Sequence, residues 1–114
     1  MAPRLHRSAH RGVYLFHADE PIGNLSNPRA MARHYIGYAD RLTERIAIQL
    51  AGNAEAAALM RAFIAAGVGV ELARIWPGAT RRFERQLKRQ KNAPRRICPI
   101  CRGAPARRPL AEEV

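Results

Sequence analysis

Residues 34–38, with the sequence His-Tyr-Ile-Gly-Tyr, and an arginine soon after them combine residue types that could act on a phosphate group. The stretch is typical of a short strand, because tyrosine and isoleucine favour strands. Apolar spacing then predicts a helix over 40–51, which carries Arg45 and Gln49 on one face. A guanidinium suits phosphate because it can donate two parallel hydrogen bonds to one anion. The sequence therefore places Tyr35 in a strand that leads directly into a helix with a phosphate-binding candidate.

Two tripeptides, Gly12-Val13-Tyr14 and Tyr35-Ile36-Gly37, resemble the two signatures of the GIY-YIG nuclease superfamily. This superfamily includes homing endonucleases, some restriction enzymes and the incision subunit of bacterial nucleotide excision repair, a DNA repair system. In the family an arginine follows the second glycine by eight residues, a late helix carries a glutamate, and an asparagine stands near a proline. The matching residues here are Arg45, Glu84 and Asn92-Ala93-Pro94. The resemblance covers residues 12–94.

The resemblance implies a metal-dependent endonuclease that hydrolyses DNA phosphodiester bonds, and it gives each matched residue a role. Tyr14 and Tyr35 would orient or deprotonate the attacking water, and Arg45 would bind the phosphate. Glu84 would hold one divalent ion, Mg²⁺ or Mn²⁺, both of which prefer oxygen ligands. No organic cofactor is implied. The residues expected to support the site are Gly37, Gln49 and Asn92, although for Asn92 the preferred interpretation is that it ends the last helix.

The same residues also have ordinary structural interpretations. Glu84 stands four residues before Lys88, which is the spacing of a helical ion pair. Either tyrosine could simply pack the sheet, and Arg45 could pair with a nearby carboxylate, Asp40 or Glu44. A phenol has a pKa near ~10, so it is an inefficient base at neutral pH unless arginines or a metal lower that pKa.

Two departures from the family pattern favour an alternative function. Gln49 stands where the family usually has His or Tyr, and Tyr38 stands where it often has Lys. An amide can orient water but exchanges no proton at neutral pH. His34 is a strand neighbour of Tyr35, so it should point to the opposite face. The alternative is a non-catalytic nucleic-acid-binding module that retains the fold.

Positive charge is concentrated in the last third of the chain. The net charge is +11, and residues 79–110 contain eleven Lys or Arg against one acid, Glu84. Such a region is the expected footprint of a polyanion, and we expect DNA rather than RNA. A solvated basic tail, or a tail that contacts acidic proteins or structured RNA, are the other interpretations. The expected nucleic-acid-binding residues are Arg81, Arg85, Lys88 and Lys91.

The length of 114 residues suits one domain, which we divide into a flexible basic arm at 1–11, a nuclease-like domain at 12–94 and a basic Pro/Arg-rich tail at 95–114. The chain lacks an apolar run of the ~20 residues needed to span a bilayer. It also lacks the apolar core of a secretory signal. We therefore expect a cytoplasmic protein with no membrane partner.

The predicted fold is a small α/β domain with a three-stranded antiparallel or mixed sheet flanked by three helices, in the order β-β-α-α-β-α. The first two strands should pair antiparallel. Asp40 and Asn53 are the predicted N-caps of the first two helices, and Pro94 is predicted to end the third. The predicted strands are 12–16, 34–38 and 68–76, the predicted helices are 40–51, 54–65 and 79–91, and a long loop is predicted over 17–32.

Two cysteines stand in one motif, Cys98-Pro99-Ile100-Cys101. The pair supplies half the ligands of a tetrahedral zinc site. A second cysteine pair is absent from the sequence, and the four histidines are remote along the chain. Zinc shared across a dimer and a redox pair are alternatives, but the expectation is two reduced thiols at the end of the fold.

Overall fold

The protein is described by a computed structural model at residues 10–23, 31–90 and 93–103. Seven elements follow one another: β1 Gly12–Gly23, β2 Met31–Ala39, α1 Leu42–Ala51, α2 Ala58–Ala65, β3 Val70–Pro77, α3 Arg81–Arg89 and α4 Ala93–Ile97. Several predictions lie outside the described residues, namely most of the N-terminal arm, the centre of the first loop, Lys91, Asn92 and the tail beyond Gly103.

The three strands form one antiparallel sheet in the order β2-β1-β3, so β1 is the central strand. Its first half is a continuous apolar run with Tyr14 between Val13 and Leu15, and it is buried on both faces. A central strand with helices on both sides has no solvent face to fill with polar residues, which explains the run. The prediction of a small α/β domain with three strands is confirmed, as is the antiparallel pairing of the first two.

The predicted loop over 17–32 is wrong at both ends. β1 continues to Gly23 and β2 begins at Met31, and the two strands pair up to these residues. The register of this ladder shifts after His17, and Pro21 lies in the shifted stretch. A proline has no N–H to donate, so within a sheet it is tolerated at such an irregularity. The loop-forming residues therefore mark an interruption of the ladder rather than its end.

We call the side of the sheet covered by α1 and α2 the front face. Its core is built from alternate residues of β1, Tyr14 and Phe16, packed against Met60 and Phe63 of α2. Met60 and Phe63 are both fully buried. Gly52, with φ +68, ends α1, because glycine adopts this left-handed conformation without strain.

Neither predicted N-cap forms. Asp40 accepts a hydrogen bond from the Tyr38 hydroxyl at 2.8 Å, so its carboxylate is engaged before the helix begins. The backbone N–H of Leu42, at the start of α1, instead donates to the carbonyl of His10 at 3.0 Å. Asn53 accepts from the N–H of Glu55 within a turn, and α2 starts only at Ala58.

We call the opposite side the back face, which α3 and α4 cover. Its core joins Val13 and Leu15 of β1 to Leu87 of α3 and Cys98 after α4. The Thr80 side chain accepts from the N–H of Phe83 and caps α3, which spans Arg81–Arg89.

The prediction that Pro94 ends α3 is wrong, because α3 already ends at Arg89. Pro94 instead lies in the first turn of α4, where a missing N–H removes no helical bond. The described part of the predicted tail, through Gly103, thus contains a helix and a turn that pack on the back face. In the described ranges, no helix combines the length and apolar character that crossing a bilayer requires.

Candidate functional site

The two tyrosines of the resemblance lie side by side on the front face. The ring centroids of Tyr14 and Tyr35 are 6.1 Å apart. Tyr14 is only 1% exposed, whereas Tyr35, on the edge strand β2, is partly exposed. Gly37 is the ladder partner of Tyr14, and a Cβ at Gly37 would overlap the Tyr14 hydroxyl. Gly37 therefore leaves the space that the phenol occupies, so it supports the position of Tyr14.

Gln49 holds the buried phenol in place from α1. Its Nε2 donates to the Tyr14 hydroxyl at 2.9 Å, and its Oε1 accepts from the N–H of Ala57 at 2.8 Å. The side chain is fully buried. Gln49 thus positions Tyr14 and the start of α2, and it is not exposed to orient a solvent water.

The environment of Tyr14 works against ionisation. Burial raises the pKa of its phenol above the ordinary value of 10.0, and this effect outweighs the hydrogen bonds and charge of Gln49 and Arg45, which lower it. Arg45 therefore does not bring the pKa of Tyr14 below its ordinary value. Since Tyr35 is the more exposed of the two, it is the better candidate to reach a reacting group.

Arg45 is placed by contacts that the sequence did not suggest. Its Nη1 donates to the carbonyl of Glu55 at 2.9 Å. The two carboxylates offered as alternative partners bind elsewhere, since Glu44 pairs with Arg41 at 3.3 Å and Asp40 accepts from Tyr38. Arg45 is thus held against the front face by a backbone carbonyl, and among the described residues no carboxylate pairs with its guanidinium.

A groove of about 330 Å³, which we call the cationic groove, runs beside Arg45 at the end of β2. Its charged lining consists of three arginines and two carboxylates, namely Arg41, Arg45, Arg81, Asp40 and Glu44. The guanidinium of Arg81 stacks over the ring of Tyr38, 4.5 Å from its centroid. Arg81 and Arg85 are both exposed on α3. The groove therefore offers guanidinium groups from two helices to one anion.

Glu84 lies on α3, which covers the back face, whereas the two tyrosines lie on the front face. Its carboxylate is 3.0 Å from Nζ of Lys88, which is the ion pair that the helical spacing indicated. The Glu84 side chain is only 13% exposed, and Lys88 is half exposed. Nζ of Lys88 also lies 5.8 Å from the ring centroid of Tyr35. The chain of contacts from Glu84 through Lys88 and Tyr35 to Tyr14 joins the two faces around the edge of β2.

A second cluster, on the back face, was missed by the sequence analysis. The side chains of His17, His34, Cys98 and Cys101 offer four ligand atoms that all lie within 4.8 Å of one another. We call this group the His/Cys cluster. Both cysteines are free thiols, as expected, but Cys98 is fully buried in the back core. The judgement that the histidines are too remote to join the cysteines is wrong.

Four of the six distances between the donor atoms of the His/Cys cluster are 3.2–3.6 Å. Nδ1 of His17 lies 3.4 Å from Nε2 of His34, 3.5 Å from Sγ of Cys98 and 3.6 Å from Sγ of Cys101. Sγ of Cys101 lies 3.2 Å from Nε2 of His34. His17 and His34 are direct ladder partners, and His34 does point away from the face of Tyr35, as predicted.

Burial governs ionisation in this cluster. It lowers the pKa of His34 to about 4, with further contributions from His17, Arg33 and Arg95, so the ring is neutral at pH 7 and can offer a lone pair. Burial also raises the pKa of the Cys98 thiol. A coordinated metal ion would deprotonate such a thiol outright. The group could therefore bind a metal ion, and its nitrogen and sulfur donors suit a soft metal such as zinc rather than Mg²⁺ or Mn²⁺.

Comparison of the chain with protein-family models, curated proteins and solved structures finds no match. Its class is accordingly given by the fold, a small α/β domain with a three-stranded antiparallel sheet. The domain carries a tyrosine and arginine site at the front edge and a His/Cys cluster on the back.

Proposed function

We propose that the chain is a metal-dependent endonuclease of the GIY-YIG type that hydrolyses DNA phosphodiester bonds. One observation carries the proposal. The Tyr35 ring centroid lies 6.1 Å from that of Tyr14 and 5.8 Å from Nζ of Lys88, and Lys88 pairs with Glu84. A chain of contacts thus leads around the edge strand β2 from the tyrosines on the front face to Glu84 on the back.

The cationic groove supplies the phosphate-binding part of this proposal. Arg41, Arg45 and Arg81 line it. One guanidinium can donate two parallel hydrogen bonds to the oxygens of one phosphate. Donors fixed in place before the reaction stabilise the charge that develops on a phosphoryl group without having to reorganise. Arg45 would contact the scissile phosphate, while Arg81, Arg85 and Lys88 would contact flanking phosphates.

The two tyrosines have different parts in the proposed reaction. Tyr35 would orient the attacking water, because it is partly exposed at the strand edge. Tyr14 would act as a positioning residue, because it is buried and its pKa is raised, which disfavours the phenolate needed for base chemistry. Gln49 would hold Tyr14 in place, and with it the ring that lies beside Tyr35.

Glu84 fits a divalent ion that is held by few protein ligands. It belongs to no group of three or more His, Cys, Asp or Glu ligands among the residues that the structure describes. A single carboxylate suits Mg²⁺ or Mn²⁺, since such ions keep several waters and share phosphate oxygens in phosphoryl-transfer sites. When bound, the ion would polarise the phosphodiester and offset charge on the leaving oxygen. Lys88 would have to release the Glu84 oxygen that it now holds.

Plasmid nicking tests this function. The full chain is incubated with supercoiled plasmid and Mg²⁺ or Mn²⁺, beside Glu84→Gln and the control Glu20→Gln, a change at an exposed position of β1. We expect nicking by the wild type and the control and none by Glu84→Gln. Undiminished nicking by Glu84→Gln would refute the assigned mechanism.

A second experiment separates the roles of the tyrosines. Removal of a group that aids proton transfer typically slows a reaction by ~10²–10⁴-fold. We expect a loss in that range for Tyr35→Phe and a smaller one for Tyr14→Phe, measured as nicking rate at saturating metal. Equal losses would contradict the separate roles.

The alternative is a nucleic-acid-binding module without catalysis. It is favoured by the ion pair that neutralises Glu84 and by the burial of both Tyr14 and Gln49. This function predicts salt-sensitive binding of DNA with no metal-dependent nicking. Binding by a chain that never nicks, across both metals, would decide for the alternative.

A further inference from the structure

The His/Cys cluster is independent of the tyrosine site and has the geometry of a metal centre. Its members come from three parts of the chain, His17 from β1, His34 from β2, and Cys98 and Cys101 from the turn after α4. Three of them lie within 3.6 Å of one atom, Nδ1 of His17. The side chains thus converge on a common point rather than forming a row.

The separations match those of a zinc tetrahedron. With Zn–N of about 2.0–2.1 Å and Zn–S of about 2.3 Å, tetrahedral angles place two nitrogens about 3.4 Å apart and a nitrogen about 3.6 Å from a sulfur. The nitrogen–nitrogen distance here is 3.4 Å, three of the four nitrogen–sulfur distances are 3.2, 3.5 and 3.6 Å, and all four donor atoms lie within 4.8 Å of one another. These separations suit one cation placed between the four atoms.

Hydrogen bonds alone account poorly for this arrangement. A neutral imidazole nitrogen carries either one N–H or one lone pair. Nδ1 of His17 nevertheless faces a nitrogen and two sulfurs at similar distances. One central cation serves all of these contacts, since each neutral imidazole and each thiolate gives it one lone pair.

We propose that His17, His34, Cys98 and Cys101 bind one Zn²⁺ in a closed tetrahedral site that fastens the segment after α3 to the β1–β2 hairpin. Two thiolates and two imidazoles are a common ligand set for structural zinc. Binding releases the two thiol protons to solvent. Four protein ligands leave no open position, so the ion has a structural rather than a catalytic role.

The segment that the zinc holds would have little stability of its own. α4 has five residues, far fewer than an isolated helix needs. In the turn that follows, the N–H of Cys101 donates to Sγ of Cys98 at 3.4 Å, which fixes the position of one proposed ligand relative to the other. The zinc thereby also determines where Arg95 and Arg96, on α4, stand relative to the sheet.

Metal content of the purified full chain tests the site. Elemental analysis after purification without chelator should give about one zinc per chain, retained in the control His10→Asn, whose histidine lies outside the cluster. His34→Asn and the double variant Cys98→Ser/Cys101→Ser should lose it. A zinc-free wild type, or full zinc content in the double variant, would overturn the proposal.

Cobalt provides a readout that needs no variant. The full wild-type chain, stripped with chelator, is titrated with Co²⁺, and we expect thiolate-to-cobalt charge transfer and the intense visible bands of a tetrahedral ion, saturating at one equivalent. Absence of these bands would contradict the site. Glu84→Gln should give the same titration, so failure of the nuclease proposal and failure of the zinc proposal are distinguishable.

Discussion

Two neighbouring residue pairs of the β1–β2 ladder contribute side chains to the two sites of this protein. Phe16 pairs with Tyr35, and His17 pairs with His34. Because successive strand residues point to opposite faces, the first rung faces the front helices and the second faces α4 and its turn. One hairpin thus presents a phenol on one face and two imidazoles on the other.

The sites on the two faces differ in how far their side chains are exposed to solvent. The front site is a partly exposed edge where arginines, an ion pair and a phenol meet a groove. At the back site Cys98 is fully buried and His17 is only 5% exposed, whereas His34 and Cys101 are partly exposed beside a cavity of about 880 Å³. An open edge with several arginines suits a large anionic ligand, whereas four soft donors gathered around one point suit one ion. The difference implies that metal removal should disturb the back and leave the front edge's own packing intact.

Removal of zinc should have the largest effect on stability. A ligand at about 1,000 times its Kd stabilises the folded state by ~4 kcal/mol. Each kcal/mol shifts the Tm of a domain of this size by ~4–8 °C, so we expect EDTA to lower Tm by roughly 15–30 °C. Calorimetry with and without chelator measures this shift.

The double variant Cys98→Ser/Cys101→Ser is the control for that experiment. Its Tm should already be low and should not respond to EDTA, because the ligands are absent. If EDTA left the wild-type Tm unchanged, the back face would not depend on metal and the contrast between the faces would fail.

Gln49→Leu should give the next largest effect, confined to the front. The change removes the hydrogen bonds of Gln49 to the Tyr14 hydroxyl and to the Ala57 N–H, and we expect a loss of about 1–3 kcal/mol, because a buried polar group that loses a partner is costly. Urea unfolding measures the loss in free energy of unfolding. The control Gln86→Leu, at an exposed position of α3, should stay within about 0.5 kcal/mol of the wild type.

Gly37→Ala should destabilise the same site by crowding. The added Cβ would overlap the hydroxyl and ring of Tyr14, which is packed in the core and cannot swing aside, so we expect a loss of about 1–3 kcal/mol. Gly69→Ala is the matched control, since its Cβ would meet only the carboxylate end of Asp19, a flexible group. Zinc content should be normal in both, and loss of zinc in Gly37→Ala would show that the two faces are coupled.

The smallest effect concerns DNA affinity rather than stability. The variant Arg81→Ala/Arg85→Ala should reduce the slope of log affinity against log salt by ~0.9 for each phosphate that the protein no longer neutralises. Fluorescence anisotropy over a salt series measures this slope. Arg61→Ala, on α2 away from the cationic groove, should leave the slope unchanged. An equal reduction in Arg61→Ala would indicate diffuse attraction rather than a binding edge.

Local patterns in the sequence were sufficient for most of the architecture. Val68, Val70 and Leu72 alternate along the chain and all pack on the front core, and Phe83 and Leu87, four residues apart, both pack in the back core. These signals are readable because an element's own periodicity decides which of its faces is apolar. The errors fell at element ends, where one side-chain contact, such as Asp40 with Tyr38, overrides the usual capping preference.

The front site was expected from the sequence as a set of residues, but their surroundings were not. Nothing in the pattern indicated that Gln49 would bridge Tyr14 to Ala57, because that bridge depends on how α1 and α2 meet. The raised pKa of Tyr14 likewise follows from burial beneath both helices. The sequence therefore determines which chemical groups the front site contains, whereas the packing determines their burial, hydrogen bonds and pKa values.

By itself, the sequence determined the three strands, the apolar sides of the helices, the basic last third and the half-site formed by Cys98 and Cys101. Strand pairing would also have put His17 opposite His34, had β1 been extended past Phe16. Only the tertiary structure decided that these two pairs meet, since His17 and Cys98 are 81 residues apart. Alternation along a strand is a local geometric rule, but the segment that covers a given face is chosen by the packing of the whole chain.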